Sequence, residues 1–213
     1  MILAAGRGER LRPMTDITPK PLLEVRGQPL IERHVAALAA AGFERIVINL
    51  AWLGEQIREY LGDGVRYGVN IVYSEERPRA LETAGGIFRA LPHLTPGPFA
   101  VVNGDIYTDF SFQTLELAPD RDAHLVLVPN PVQHPRGDFG LDGGLALPEA
   151  ASRYTFSGIA VYRSEFFEGC TDGAYPLKPL LLRSMAAKRC SAQLYTGLWE
   201  DVGTPERLQV LNA

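Results

Sequence analysis

Four short, almost wholly aliphatic runs limit what this chain can fold into: residues 1–5, 45–50, 70–74 and 99–102. Each is too short for a core helix, and the segments between them carry apolar residues at helical spacing. A strand that is apolar on both faces needs cover on both, and strands that alternate with helices in this way pair mostly in parallel. The sequence therefore predicts a three-layer α/β domain with a mostly parallel sheet. Its functional residues should gather at the carboxyl ends of the strands. Helices are expected from residue 28, with Ile31, Val35 and Leu38 on one stripe and a stop at Gly42, over 53–61, and over 85–91 up to Pro92.

The second half is less regular. Strands are expected at 124–128, 154–162 and 192–195, with an irregular stretch at 129–137 and a helix at 177–187. Gly158, inside the long strand, marks a bulge or a close approach of backbone. A last helix over 204–211 has Thr204 as its cap, Pro205 in its first position and Glu206 in its first turn. No repeat, low-complexity tract or linker divides the 213 residues, so one domain is expected.

Composition excludes several functions. A net charge of -4 lacks the broad positive footprint of a nucleic-acid binder, although a small phosphorylated ligand needs only a local one. No apolar run approaches the roughly 18 residues of a membrane span. The opening five residues lack a basic leader, which points to a cytoplasmic protein. Cys170 and Cys190 have no metal-like spacing and read as reduced thiols. The histidines have no zinc spacing, His34 reads as a packed or half-exposed helical residue and not as a ligand, and no serine triad motif is present.

The segment Leu3-Ala4-Ala5-Gly6-Arg7-Gly8-Glu9-Arg10-Leu11-Arg12-Pro13 carries the most chemistry. A strand opening into closely spaced glycines offers backbone N–H groups to phosphate oxygens. Two glycines alone fit a surface turn equally well, but Arg10, Arg12 and Lys20 add local positive charge. Asp105 lies at the end of the strand at 99–102, and Asp201 lies in a turn before the last helix. Singly each suits a cap or turn; together they offer the hard oxygens that Mg²⁺ prefers.

With Pro19-Lys20-Pro21-Leu22, the glycine segment resembles the signature of the sugar-phosphate nucleotidyltransferases. Further landmarks are Glu82-Thr83-Ala84-Gly85, Asn103-Gly104-Asp105, Phe156-Ser157-Gly158-Ile159 and Trp199-Glu200-Asp201-Val202-Gly203-Thr204-Pro205. The resemblance implies a Rossmann-like fold of the nucleotide-diphospho-sugar transferase type, a nucleotide portion over about 1–110 and a sugar portion over about 111–213. It also implies Mg²⁺ as cofactor and UTP and a sugar 1-phosphate as ligands, and the sequence is compatible with a monomer. Carried onto this chain, it gives Arg10 and Lys20 to catalysis, and Ala5, Gly6, Gly8, Glu82, Thr83, Gly85 and Gly104 to the nucleotide. Asn103, Gly140, Ser157 and Gly158 go to the sugar phosphate, and Asp105 and Asp201 to the metal.

One departure matters. Many relatives carry a Glu-Lys-Pro triplet whose lysine meets the sugar phosphate, whereas here Glu149 is followed by Ala150, Ala151 and Ser152. The acceptor site is therefore expected to differ. Alternatives are transfer from dTTP or GTP to a hexose 1-phosphate, and a non-catalytic nucleotide-sugar sensor on the same fold. A sensor would have no need to keep Arg10, Lys20, Asp105 and Asp201 together.

Overall fold

A computed structural model describes residues 1–76 and 80–213. The elements run β1 (Ile2–Leu3), α1 (Met14–Ile17), β2 (Glu24–Val25), β3 (Gln28–Pro29), α2 (Leu30–Ala40), β4 (Arg45–Leu50), α3 (Gly54–Leu61), β5 (Asn70–Glu75), α4 (Glu82–Ala90), β6 (Phe99–Asn103) and β7 (Ile106–Thr108). There follow β8 (Ala123–Val128), β9 (Phe139–Asp142), β10 (Leu145–Leu147), β11 (Arg153–Tyr162), α5 (Leu177–Ala186), β12 (Cys190–Leu194), β13 (Trp199–Asp201) and α6 (Pro205–Asn212).

Nine strands form the main sheet in the order β5-β4-β1-β6-β11-β8-β12-β10-β9. The first four are parallel, with helices between them in the chain, as their continuous apolar runs require. Beyond β6 the sheet is mixed. The chain supplies no crossover helix between β8 and β11, only the β9–β10 hairpin turning at Gly143 and Gly144, so β11 returns antiparallel to both β6 and β8. β12 lies parallel to β8.

Neighbouring residues on each central strand feed opposite faces. Val101, Leu125, Leu127 and Ala160 pack on one side with Ile87 of α4 and Leu180, Leu181 and Met185 of α5. Val102, Val126 and Ile159 pack on the other with Ile31, Val35 and Leu38 of α2 and Ile57 of α3. This double cover is what the aliphatic runs encode. A smaller cluster of Leu11, Leu23, Val25, Leu30, Tyr107, Val202 and Leu208 fastens α6 to the segment after the glycine loop.

Several boundaries shift for physical reasons. α2 begins at Leu30 because Gln28 and Pro29 pair with Val25 and Glu24 in a hairpin. α4 begins at Glu82, not residue 85, while Pro92 sits in a 3-10 turn that ends it. β12 starts at Cys190, paired with Ala123 of β8. Thr204 caps α6 as expected, its hydroxyl accepting from the Arg207 N–H at 3.4 Å. Register shifts between Phe156 and Ile159, where Gly158 has φ +82°, so the expected bulge is present.

His34 is 3% exposed, and its Nε2–H donates to the Ile106 carbonyl at 3.0 Å. Burial lowers its pKa from 6.5 to about 4, which keeps the ring neutral and makes it a packed residue. Cys170 and Cys190 are buried free thiols, and burial pushes Cys190 up to about 12. Among the described residues no helix is long and apolar enough to cross a membrane.

Candidate active site

Asp105 and Asp201 meet through a two-stranded sheet that no sequence pattern announced. β6 delivers Asn103, the chain turns at Gly104 and β7 begins at once. β13 pairs antiparallel with β7 so that Asp201 stands opposite Ile106, and the Val202 N–H donates to the Asp105 carbonyl at 3.0 Å. Lys20 then bridges the two carboxylates. Its Nζ lies 2.5 Å from Asp105 Oδ2 and 3.9 Å from Asp201 Oδ1. The Lys20 side chain is only 9% exposed, and the pairing offsets the cost of burying its ammonium.

The other oxygen of Asp201 faces two guanidinium groups, Arg207 Nη1 at 2.7 Å and Arg10 Nη2 at 3.9 Å. Arg207 Nη1 also donates to the Asp201 carbonyl at 3.1 Å, which fixes the carboxylate's orientation.

Two clefts open around this cluster. The first, of about 240 Å³, is lined by Leu3, Ala5, Gly6, Lys20, Glu82 and Thr83, among others. The second, of about 360 Å³, is lined by Arg10, Gln133, His134, Ser157, Trp199, Asp201 and Arg207, among others. Asn103 and Asp105 line both, so they form the wall where the clefts meet.

The first cleft has a built floor. Asn49 Oδ1 accepts from the Ala4 N–H at 2.8 Å, Asn49 Nδ2 donates to Glu76 Oε1 at 2.6 Å, and Glu76 Oε2 accepts from the Leu81 N–H at 2.6 Å. These buried bonds tie β1, β4 and the end of β5 to the start of α4. Sequence reasoning passed over both residues, although a lone Asn in the run Ile46-Val47-Ile48-Asn49-Leu50 is a usable signal, because a buried amide needs partners.

A strand-end carboxylate pair on a buried lysine, a glycine loop and two joined clefts suit transfer between two anionic ligands. A protein-family model for nucleotidyl transferases matches residues 1–141. The chain belongs to the nucleotidyl transferase family. It is 52% identical to N-acetylmuramate alpha-1-phosphate uridylyltransferase of Neisseria meningitidis, over 100% of this chain and 96% of that one. Identity to the protein of the same name from Caulobacter vibrioides is 34%, over 97% and 92%. The fold matches that of HddC from Yersinia pseudotuberculosis complexed with GMP-PN, with a TM-score of 0.79, 21% identity and coverage of 99% and 96%.

Within this nucleotidyl transferase the expected site residues divide. Ala5, Gly6, Lys20, Glu82 and Thr83 border the first cleft, Arg10, Ser157 and Asp201 the second, and Asn103 and Asp105 both. Gly8, Gly85, Gly104, Gly140 and Gly158 fall outside both described linings. Each of the five stands where an added methyl would crowd a neighbour. A methyl on Gly85 would run into the Gly173 carbonyl, and one on Gly140 into the Ala150 side chain. A methyl on Gly158 would lie 2.5 Å from Asn103 Nδ2, so Gly158 makes room for the shared wall.

Arg12 also lies outside both linings, and its Nε is 3.0 Å from Asp16. Arg7 stacks on Trp52 at 3.5 Å and donates to the Thr15 carbonyl and to Asp16, which ties the glycine loop to the segment that follows it. Sequence reasoning missed Arg207, Gln133 and the role of Trp199, whose Nε1–H donates to the Ser157 carbonyl at 2.9 Å.

Proposed function

We propose that this nucleotidyl transferase moves the uridylyl group of UTP onto N-acetylmuramic acid α-1-phosphate, forming UDP-N-acetylmuramic acid and pyrophosphate in peptidoglycan recycling. The observation that carries the reading is the pair of clefts joined at Asn103 and Asp105, with Lys20 set between two carboxylates at the junction. The choice of uridylyl and N-acetylmuramate rests on the names of the two relatives at 52% and 34% identity.

UTP occupies the cleft of Gly6, Glu82 and Thr83, and the sugar phosphate occupies the cleft of Arg10 and Ser157. An oxygen of the sugar phosphate forms a bond to the α-phosphorus. The bond from that phosphorus to the bridging oxygen breaks, and pyrophosphate leaves with its electron pair. The attacking phosphate is already ionised, so no side chain needs to remove a proton. The demand is for positioning and for neutralising negative charge, which Lys20 and Arg10 meet from the two sides of the junction.

The family's chemistry implies Mg²⁺, and the residues present fit it. Asp105 and Asp201 supply two hard oxygens converging on Lys20, and among the described residues no group of three or more His, Cys, Asp or Glu forms a complete cage. Mg²⁺ commonly takes one or two carboxylates and completes its shell with phosphate and water. When bound, it would neutralise phosphate charge at the junction.

The test is pyrophosphate release with saturating UTP and a panel of N-acetylmuramic acid 1-phosphate, N-acetylglucosamine 1-phosphate and glucose 1-phosphate, with dTTP and GTP as further donors. The expected preference for the first acceptor over glucose 1-phosphate is roughly tenfold to a hundredfold, the cost of leaving a polar group of the site unpartnered. Equal or greater efficiency with glucose 1-phosphate would return the chain to the hexose enzymes.

A further inference from the structure

We propose that Arg207 binds the phosphate of the acceptor, an inference that rests on reading the second cleft as the acceptor site. Arg207 was not marked by any sequence motif, and it lines the second cleft without lining the first.

Two guanidinium groups converge there. A methyl built on Gly203 would lie 3.0 Å from both Arg10 Nη2 and Arg207 Nη1, so the two side chains approach one spot beside Asp201. They differ in freedom. The Arg10 side chain is 66% exposed, and its approach to Asp201 is 3.9 Å. Arg207 is 20% exposed and is held at 2.7 Å from Asp201 Oδ2. Both hydrogen bonds shown from its side chain leave from Nη1, to Asp201 Oδ2 and to the Asp201 carbonyl. Among the described residues no hydrogen bond is shown from Nε or Nη2, and in a guanidinium these two donors form a planar fork that matches phosphate oxygens.

The local charge agrees. Asp105 and Asp201 supply two negative charges, against the three positive charges of Lys20, Arg10 and Arg207. The cluster carries an excess positive charge, and on the acceptor side it comes from arginine. His134, also in the second cleft, is engaged at 3.1 Å with Asp138 Oδ1, which leaves Arg207 as the better-held partner for a dianion.

The rival role is purely structural, with Arg207 doing no more than steering Asp201. Arg207→Gln and Arg207→Lys separate the two. In each full-length variant, loaded with Mg²⁺ and a non-hydrolysable UTP analogue, the dissociation constants of N-acetylmuramic acid 1-phosphate and N-acetylglucosamine 1-phosphate are measured by titration calorimetry. Binding of the analogue, the Mg²⁺ dependence and the melting temperature are measured beside them. Arg207→Gln should weaken both sugar phosphates by about 10- to 100-fold and change analogue binding by less than about twofold. Arg207→Lys, which keeps the charge and loses the fork, should fall between Arg207→Gln and the parent.

Unchanged sugar-phosphate binding with a raised Mg²⁺ requirement would overturn the proposal in favour of the steering role. A loss confined to N-acetylmuramic acid 1-phosphate would overturn it too, because the contact would then be to the lactyl carboxylate. Parent protein that binds neither sugar phosphate would instead bring down the acceptor reading, and this proposal with it.

Discussion

Replacing Lys20 with methionine separates its chemistry from its packing. Methionine keeps most of the apolar stem in a position whose side chain is 9% exposed, and it removes the ammonium 2.5 Å from Asp105. The carboxylate left behind is 34% exposed and can rehydrate, so the loss to folding is discounted to about 1 kcal/mol. That corresponds to a fall of roughly 2–4 °C in melting temperature for a chain of this size. The loss to turnover should be far larger. A charge-stabilising contact at the reacting centre is worth roughly 3–4 kcal/mol, or on the order of 10²- to 10³-fold in kcat. The assay is pyrophosphate release with both substrates and Mg²⁺ saturating, run beside a thermal melt and equilibrium binding of a UTP analogue. A transition-state contact lowers kcat with little change in nucleotide affinity. Turnover within about threefold of the parent would refute the catalytic role. So would a fall in kcat that merely tracks loss of folded protein.

Asp105→Asn and Asp201→Asn should each raise the Mg²⁺ concentration for half-maximal activity by about tenfold or more without unfolding the chain. Parent-like metal dependence in Asp201→Asn would reduce Asp201 to a turn residue. Gly158→Ala places a methyl 2.5 Å from Asn103 Nδ2 at φ +82°, so a stability loss of about 1–3 kcal/mol and weaker binding of both substrates are expected. A parent-like melt with parent-like KM values would contradict this. Between pH 6.5 and about 4 the unfolded chain protonates at His34 while the folded chain does not. Stability from this group is therefore complete above 6.5, declines as pH falls through that window and levels off below about 4, a total of about 3 kcal/mol. Urea unfolding of the parent and of His34→Gln should differ in slope across the window, and parallel slopes would reject the assignment.

The fold was legible where burial on both faces left only aliphatic residues to read, as in β4 and β6. β9, β10 and β13 were not, because they are only three or four residues long and depend on partners remote in sequence. The same division runs through the site. Asp105 stands just past a strand end and could be read from its position, whereas its meeting with Asp201 depends on the register of β7 against β13. Arg207 reads as an ordinary first-turn residue, since helical periodicity says nothing of the carboxylate beside it. Gly85 and Gly140 show a further limit: a sequence can reveal that a position has no side chain, but not which neighbour needs the room.

The start of α4, which carries Glu82 and Thr83 into the first cleft, is anchored from the other half of the chain. The Ala84 and Gly85 N–H groups donate to the Tyr175 carbonyl, and the Tyr175 N–H donates to the Leu81 carbonyl at 3.0 Å. β6, the strand behind the shared wall, has β1 on one side and β11 on the other. A fragment severed after residue 110 would keep the residues that line the first cleft but lose the Tyr175 anchor and β11. Exchanging halves between homologues to transplant acceptor preference should therefore disturb nucleotide affinity as well. Specificity in this scaffold is better altered one side chain at a time along the second cleft than by recombination at a midpoint.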